Sequence, residues 1–165
     1  MSLYHVELIV FMVLDVEHKK SENDVLNSFI KKFRYLKGLY FPQVPIGLKR
    51  LEKAPPKYVI DLVRVDSSEY KVYPRIQRKY WERAMEGDPI YKELNFNGKN
   101  IWLIEGKVVA RYDSIGQILV YRDLFLEDWP KAKILVLGIV ACSFETGVKE
   151  ECAKQRIKVW ELGGC

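Results

Sequence analysis

Residues 101–109, Ile-Trp-Leu-Ile-Glu-Gly-Lys-Val-Val, form an apolar run broken only by Glu105 and Lys107. β-branched and aromatic residues bounded by a turn signal, Asn97-Gly98, predict a buried strand over Ile101 to Val109. Period-two alternation places Glu105 and Lys107 on the same face of that strand. Gly106 between them has no side chain, which lets other groups approach its backbone. A structural Glu–Lys pair is the plain reading of the triplet; a chemical site is the sharper one.

An upstream stretch, Tyr58 to Val65 (YVIDLVRV), is a second strand of the same kind, with Asp61 set between aliphatic neighbours. An ionised carboxylate there costs several kcal/mol unless a cation or hydrogen-bond donors compensate it. A paired core Asp, or an edge-strand Asp facing water, would satisfy this without function. The register offers more. Asp61 lies five residues before Asp66, where its strand ends, and Glu105 lies four after Ile101, where the next begins, so antiparallel pairing, with residues 67–99 as an insertion, brings the two acids together. Two adjacent carboxylates repel, and one takes up a proton unless a cation neutralises them. Oxygen ligands without His or Cys favour Mg²⁺ or Mn²⁺. Lys107 alongside could position an attacking water and offset phosphate charge.

Outward from these strands the chain alternates. Leu3 to Leu14 reads as a buried strand. Ser21 is a helix N-cap ahead of Val25, Leu26, Phe29, Ile30 and Phe33 at helical spacing, and Gly38 fits the stop. Residues 39–57, with four prolines, predict a strand fragment and a loop. Beyond the 101–109 strand, a helix is expected from Ser114 through Phe125, a strand over Lys133 to Ala141, a helix over Glu145 to Arg156 and a closing strand over Ile157 to Leu162. This order predicts an α/β domain with a mixed sheet. Within the helix after 114, Gln117 and Tyr121 are four residues apart and share a face. Taken alone, that pair has an ordinary structural reading.

Length and composition bound the rest. A chain of 165 residues corresponds to about one domain, and 48% hydrophobic with 30% charged residues excludes a disordered chain. The longest apolar runs, Leu8 to Leu14 and Ile134 to Cys142, fall far short of the roughly 18 residues that span a bilayer. Glu7 stands where a secretory leader would be basic, so no membrane partner is expected and a cytoplasmic location is. The net charge of +5 is compatible with nucleic acid without demanding it. Cys142, Cys152 and Cys165 form no CxxC pair and are read as free thiols, with Cys165 in an exposed tail. In the insertion, Lys71, Arg75, Arg78, Lys79 and Arg83 interleave with Tyr70, Tyr73, Tyr80 and Trp81. Such a mixture suits phosphate contacts and base stacking, or else an amphipathic helix covering the sheet.

Together Asp61, Glu105-Gly106-Lys107 and Gln117-xxx-Tyr121, with Glu22 opening an earlier helix, resemble the PD-(D/E)XK nuclease superfamily, and within it the branch with a Gln-xxx-Tyr helix motif. The resemblance spans Glu22 to about Leu162. It implies a restriction-endonuclease-like fold, an αβββαβ core with a mixed central sheet flanked by helices. It also implies a metal-dependent deoxyribonuclease, endo- or exo-acting, in which Asp61 and Glu105 bind Mg²⁺ or Mn²⁺ and Lys107 serves the nucleophilic water. Gln117 and Tyr121 would support the site or the DNA, and Glu22 would complete the shell. A double-strand cut needs two such sites, which a homodimer would supply. Ile60 replaces the Pro of the family name, and Asp88 in the Gly-Asp-Pro turn is a rival first ligand. Three cysteines cannot supply the four-cysteine iron–sulfur cluster of some branches. The alternative to an enzyme is a catalytically inactive nucleic-acid-binding protein that keeps the nuclease fold.

Overall fold

The computed structural model describes residues 20–50 and 58–164; the strand expected over Leu3 to Leu14 lies outside them. The first helix, α1 (Glu22–Lys32), starts in a reciprocal cap: the Asp24 backbone N–H donates to Ser21 Oγ at 3.3 Å and the Ser21 N–H donates to Asp24 Oδ2 at 2.8 Å. Val25, Leu26, Phe29 and Ile30, at the spacing of one helical stripe, are its buried residues. The helix ends at Phe33, whose N–H reaches the Phe29 carbonyl. Gly38 is therefore not its cap. It opens strand β1 (Gly38–Ile46), where a Cβ would lie 2.8 Å from Arg64 Nε and 2.9 Å from the Val65 carbonyl. Close packing against the neighbouring strand requires glycine there.

β2 (Tyr58–Val65) pairs antiparallel with β1, and the short β3 (Tyr70–Val72) runs parallel to β1 at the sheet edge. After α2 (Arg78–Met85) and a 3-10 segment, Pro89–Leu94, Gly98 takes a left-handed turn into β4 (Asn100–Ala110). β4 pairs antiparallel with β2. Next come α3 (Tyr112–Asp128), β5 (Lys133–Phe144), α4 (Val148–Lys154) and β6 (Ile157–Glu161). β5 lies parallel to β4, and β6 parallel to β5. The result is an α/β protein with a six-stranded mixed sheet in the order β3-β1-β2-β4-β5-β6.

Two apolar clusters sandwich the sheet. On one face α1 packs with Tyr40, Leu62, Ile104 and Val140. The other joins Phe41, Val63, Leu103 and Ile139 to Trp81 of α2, Ile118 and Phe125 of α3 and Cys152 of α4. Alternation along β4 follows: Leu103 and Glu105 face the α3 side, Ile104 and Gly106 the α1 side. Outside residues 67–99 the helices and strands run helix, three antiparallel strands, helix, strand, helix and strand, the last two strands parallel to the one before.

The insertion buries its own apolar side chains in the shared core. Trp81, Ala84, Leu94 and Phe96 are fully or almost fully enclosed, and Phe96 meets Trp129 edge-on at 4.8 Å. This is the covering amphipathic helix the sequence allowed. Helix α3 begins at Tyr112, two residues before the expected Ser114, because Ser114 Oγ works from inside the first turn and accepts the Arg111 N–H at 3.2 Å. Helix α4 is shorter than Glu145 to Arg156, and β5 longer than Lys133 to Ala141.

Cys152 is a buried free thiol, but Cys142 is disulfide-bonded, which corrects its reading as a thiol. The tail runs beside it, the Gly163 N–H donating to the Cys142 carbonyl at 3.2 Å; Cys165 lies outside the described residues. Among the described residues no helix is long and apolar enough to cross a membrane.

Candidate active site

The β2–β4 register sets Leu62 against Ile104 and Val63 against Leu103, so one step further along Asp61 faces Glu105. Both are buried in the middle of the sheet, Glu105 to 1% exposure. Asp61 holds its place through both oxygens: Oδ2 accepts the Gly106 N–H at 2.9 Å and Oδ1 accepts Gln43 Nε2 at 3.1 Å. Glu105 Oε1 accepts Lys107 Nζ at 3.1 Å and Gln117 Nε2 at 2.7 Å. Its other oxygen, Oε2, is buried without a protein partner among the described residues.

Secondary structure delivers each of these groups. Lys107 follows Glu105 by two along β4, which puts its ammonium on the same face, and the same Nζ reaches Glu22 Oε1 at 3.1 Å in the first turn of α1. Gln117 and Tyr121 sit one turn apart on α3, and Gln117 Nε2 also donates to the Tyr121 hydroxyl at 2.9 Å. Gly106 serves two sides at once. Its N–H binds Asp61, and on the α1 side a Cβ would come within 2.8 Å of Leu26 Cγ. Its bare Cα lets α1 approach closely enough for Glu22 to reach Lys107.

Burial pushes the Glu105 carboxyl up to about 8, the neighbouring Asp61 adds to that rise, and Lys107 works against it. Burial also raises Asp61, against the Gly106 and Gln43 bonds that favour its charged form. For Lys107 burial works against the ammonium, but Glu105 and Glu22 outweigh it and hold its pKa above the ordinary value. Burial raises the Tyr121 hydroxyl too. Without a cation, the acid pair therefore keeps a proton near neutrality.

Those groups fit a hard divalent ion. The unpartnered Glu105 Oε2 is an acceptor that a cation would satisfy, and a second positive charge would remove the repulsion that raises both carboxyls. No cluster of three or more His, Cys, Asp or Glu side chains suited to a metal occurs among the described residues. Two protein carboxylates with water and phosphate in the remaining positions match the way Mg²⁺ is commonly held.

The six residues Glu22, Asp61, Glu105, Lys107, Gln117 and Tyr121 thus form one connected network. Asp88 lies elsewhere: it caps the 3-10 segment through the Ile90 N–H at 2.9 Å and binds Arg83 Nη2 at 2.6 Å. Those bonds hold its carboxyl below the usual range, so the rival ligand is spoken for. Of the basic residues in the insertion, Lys71 lies over the Tyr73 ring at 4.3 Å, Lys79 over Tyr80 at 5.1 Å and Arg83 over Tyr91 at 5.0 Å. Arg75 is exposed; the Arg78 side chain is outside what is described. Sequence reasoning missed Gln43, an ordinary polar residue between Pro42 and Val44 whose value comes from its position opposite Asp61. Compared with known proteins, the chain matches no family, no curated protein and no solved structure.

Proposed function

We propose that the protein is a divalent-metal-dependent deoxyribonuclease with a restriction-endonuclease-like core, and that its reaction is hydrolysis of DNA phosphodiester bonds. One observation carries this reading: two buried carboxylates from adjacent antiparallel strands meet beside an ammonium, with one carboxylate oxygen left without a partner. The helix–three strands–helix–strand order supports it, as does the Gln117–Tyr121 pair hydrogen-bonded to the same carboxylate.

In this reading Asp61 and Glu105 hold Mg²⁺ or Mn²⁺. When bound, the ion supplies positive charge to the scissile phosphate and acidifies water. The protein's part is to arrange everything around that chemistry. Lys107, anchored between Glu105 and Glu22, orients the attacking water and offsets charge as it develops on the phosphoryl oxygens. Gln117 pins Glu105 Oε1, which leaves Oε2 as the free acceptor, and Tyr121 fixes Gln117 in turn. Lys71, Arg75, Arg78, Lys79 and Arg83 are the proposed phosphate contacts of the insertion. Loss of any one should lower the slope of log K against log salt by about 0.9 for duplex DNA.

Plasmid, linear, single-stranded and branched DNA are incubated with the protein and Mg²⁺ or Mn²⁺. Cleavage by wild type that disappears in Asp61→Ala and Lys107→Ala is the expected result. Cleavage surviving in both variants would assign it to a contaminant. Salt-sensitive DNA binding with no turnover and no stabilisation by Mn²⁺ would identify an inactive nucleic-acid-binding protein instead.

A further inference from the structure

Gln43 stands out on two independent grounds. It is one of two non-glycine residues with a left-handed backbone among the described residues, at φ 56°, a conformation that is unfavourable for a residue with a Cβ. It also sits opposite Asp61: β1 and β2 pair Pro42 with Leu62 and Val44 with Ile60, and Gln43 falls between them. Its amide Nε2 reaches Asp61 Oδ1 at 3.1 Å. Gln43, Asp61 and Glu105 thus form a row across three adjacent strands, with the strained residue at its outer end.

The two donors to Asp61 are of different kinds. Gly106 offers a backbone N–H fixed by the β4 ladder, which would bind Oδ2 whatever side chain stood at position 43. The Gln43 amide is the donor that fixes the rotation of the carboxylate about its last bond, because it engages the other oxygen. Each oxygen keeps a lone pair after accepting one bond, so this arrangement aims the carboxylate without closing it to a cation.

We infer that Gln43 is a positioning residue for the candidate metal site: it acts through Asp61, orienting that carboxylate to receive a divalent cation, and the left-handed backbone is retained to place its amide there. This rests on reading the acid pair as a cation site. Partners of ligating carboxylates commonly change metal affinity by about 10–100-fold when lost.

The full chain and its Gln43→Gly and Gln43→Met variants are titrated with Mn²⁺ by calorimetry and melted without metal. Glycine relieves the strained backbone as it removes the amide; methionine keeps similar bulk and removes only the donor. Mn²⁺ affinity about 10-fold weaker in both variants is the expected result. Gln43→Gly should melt no lower than wild type, and its DNA cleavage should recover when Mn²⁺ is raised to saturation, with KM for DNA unchanged. If wild type binds Mn²⁺ and both variants bind it equally well, Gln43 has no positioning role and the metal site stands. If Gln43→Gly melts well below wild type, the residue is structural and the inference fails. If wild type itself does not bind Mn²⁺, the reading of the acid pair fails and takes this inference with it.

Discussion

Helix α3 touches a buried carboxylate near each end, and the two are treated in opposite ways. Asp128, at its last turn, is 2% exposed and accepts the Leu48 N–H on Oδ2 and the Lys49 N–H on Oδ1, both at 3.1 Å. It closes the 3-10 turn Leu48–Arg50 onto the helix, and both of its oxygens have backbone partners. Glu105, beside Gln117 in the first half of α3, is equally buried, yet one of its oxygens has none among the described residues and a second carboxylate faces it. A carboxylate that serves the fold is saturated with donors. Glu105 keeps an unmet need, at the cost of burying it, which is what the proposed cation site requires.

The contrast breaks most sharply through a pair of substitutions. If the proposed function holds, Glu105→Gln should cut metal-dependent DNA cleavage by at least about 100-fold, since it would remove a ligand rather than a ligand's partner. The metal-free protein should melt at the wild-type temperature or above, because glutamine keeps an acceptor for Lys107 and Gln117 and replaces a carboxyl whose ionisation burial opposes. Asp128→Ala should do the reverse. Stranding the turn's N–H groups costs about 3 kcal/mol, a fall in Tm of about 6–12 °C, and turnover per folded molecule is retained at temperatures where the variant is folded. Calorimetric melting with a cleavage assay on the same samples checks both; a large loss of stability in Glu105→Gln would make that residue another Asp128.

A pH series sharpens the same difference. The folded Glu105 carboxyl is raised to about 8 from the ordinary 4.5, so between those values the folded state binds a proton that the unfolded state has released. Stability from this group is therefore greatest at low pH and is lost as pH climbs toward 8. Metal-free Tm should fall across that window, with Asp61, also raised, contributing in the same direction. Because a cation must displace the proton, Mn²⁺ affinity should rise over the same range, by up to about tenfold per pH unit for one proton displaced. Glu105→Gln should flatten both slopes.

How much of this the residues announce depends on what kind of contact does the work. Asp61, Glu105 and Lys107 stand out because charge inside an apolar strand is conspicuous, and period two fixes their common face. Helical spacing puts Gln117 and Tyr121 on one face, but only the resemblance to the nuclease superfamily marks them as site residues. Gln43 and Asp128 leave no such mark. One depends on a backbone angle, and the other on backbone N–H groups of a turn about 80 residues away in sequence. Gly38 follows a helix, as a C-cap glycine would, but it is needed where Arg64 and Val65 crowd the start of β1. Helix α2 is obscure in the sequence because its eight residues interleave basic and aromatic side chains, and only Trp81 and Ala84, buried in the fold, mark its inner face.

A smaller effect tests how α1 is coupled to the acid pair. Gly106→Ala would drive a Cβ to within 2.8 Å of Leu26 Cγ, and overpacking of this kind typically costs about 1–3 kcal/mol. Separating α1 from β4 would also lengthen the Glu22–Lys107 contact. Stability and Mn²⁺-dependent cleavage should therefore fall together, whereas they part in Glu105→Gln. Leu26→Ala should cost less in the Gly106→Ala background than alone, so that the double variant is less impaired than the sum of the single ones. Strict additivity would mean that the two side chains do not meet.

The smallest effect belongs to the acid that sequence offered as a rival ligand. Asp88 has two donors of its own, the Ile90 N–H and the Arg83 guanidinium, and Arg83 is about half exposed. Exposed ion pairs of this sort add little to stability because water screens them. Asp88→Asn keeps an acceptor for the Ile90 N–H and weakens only the pairing with Arg83. Mn²⁺ affinity and its pH dependence should be unchanged, and DNA affinity should rise slightly at low salt as Arg83 is released to meet phosphate. The comparison is informative because Asp88→Asn and Asp61→Asn are the same chemical change at two acids of one chain. If Asp88→Asn abolishes Mn²⁺ binding while Asp61→Asn spares it, the cation belongs to the turn before the 3-10 segment. The buried pair on β2 and β4 would then be a proton-sharing strut like any other costly core contact.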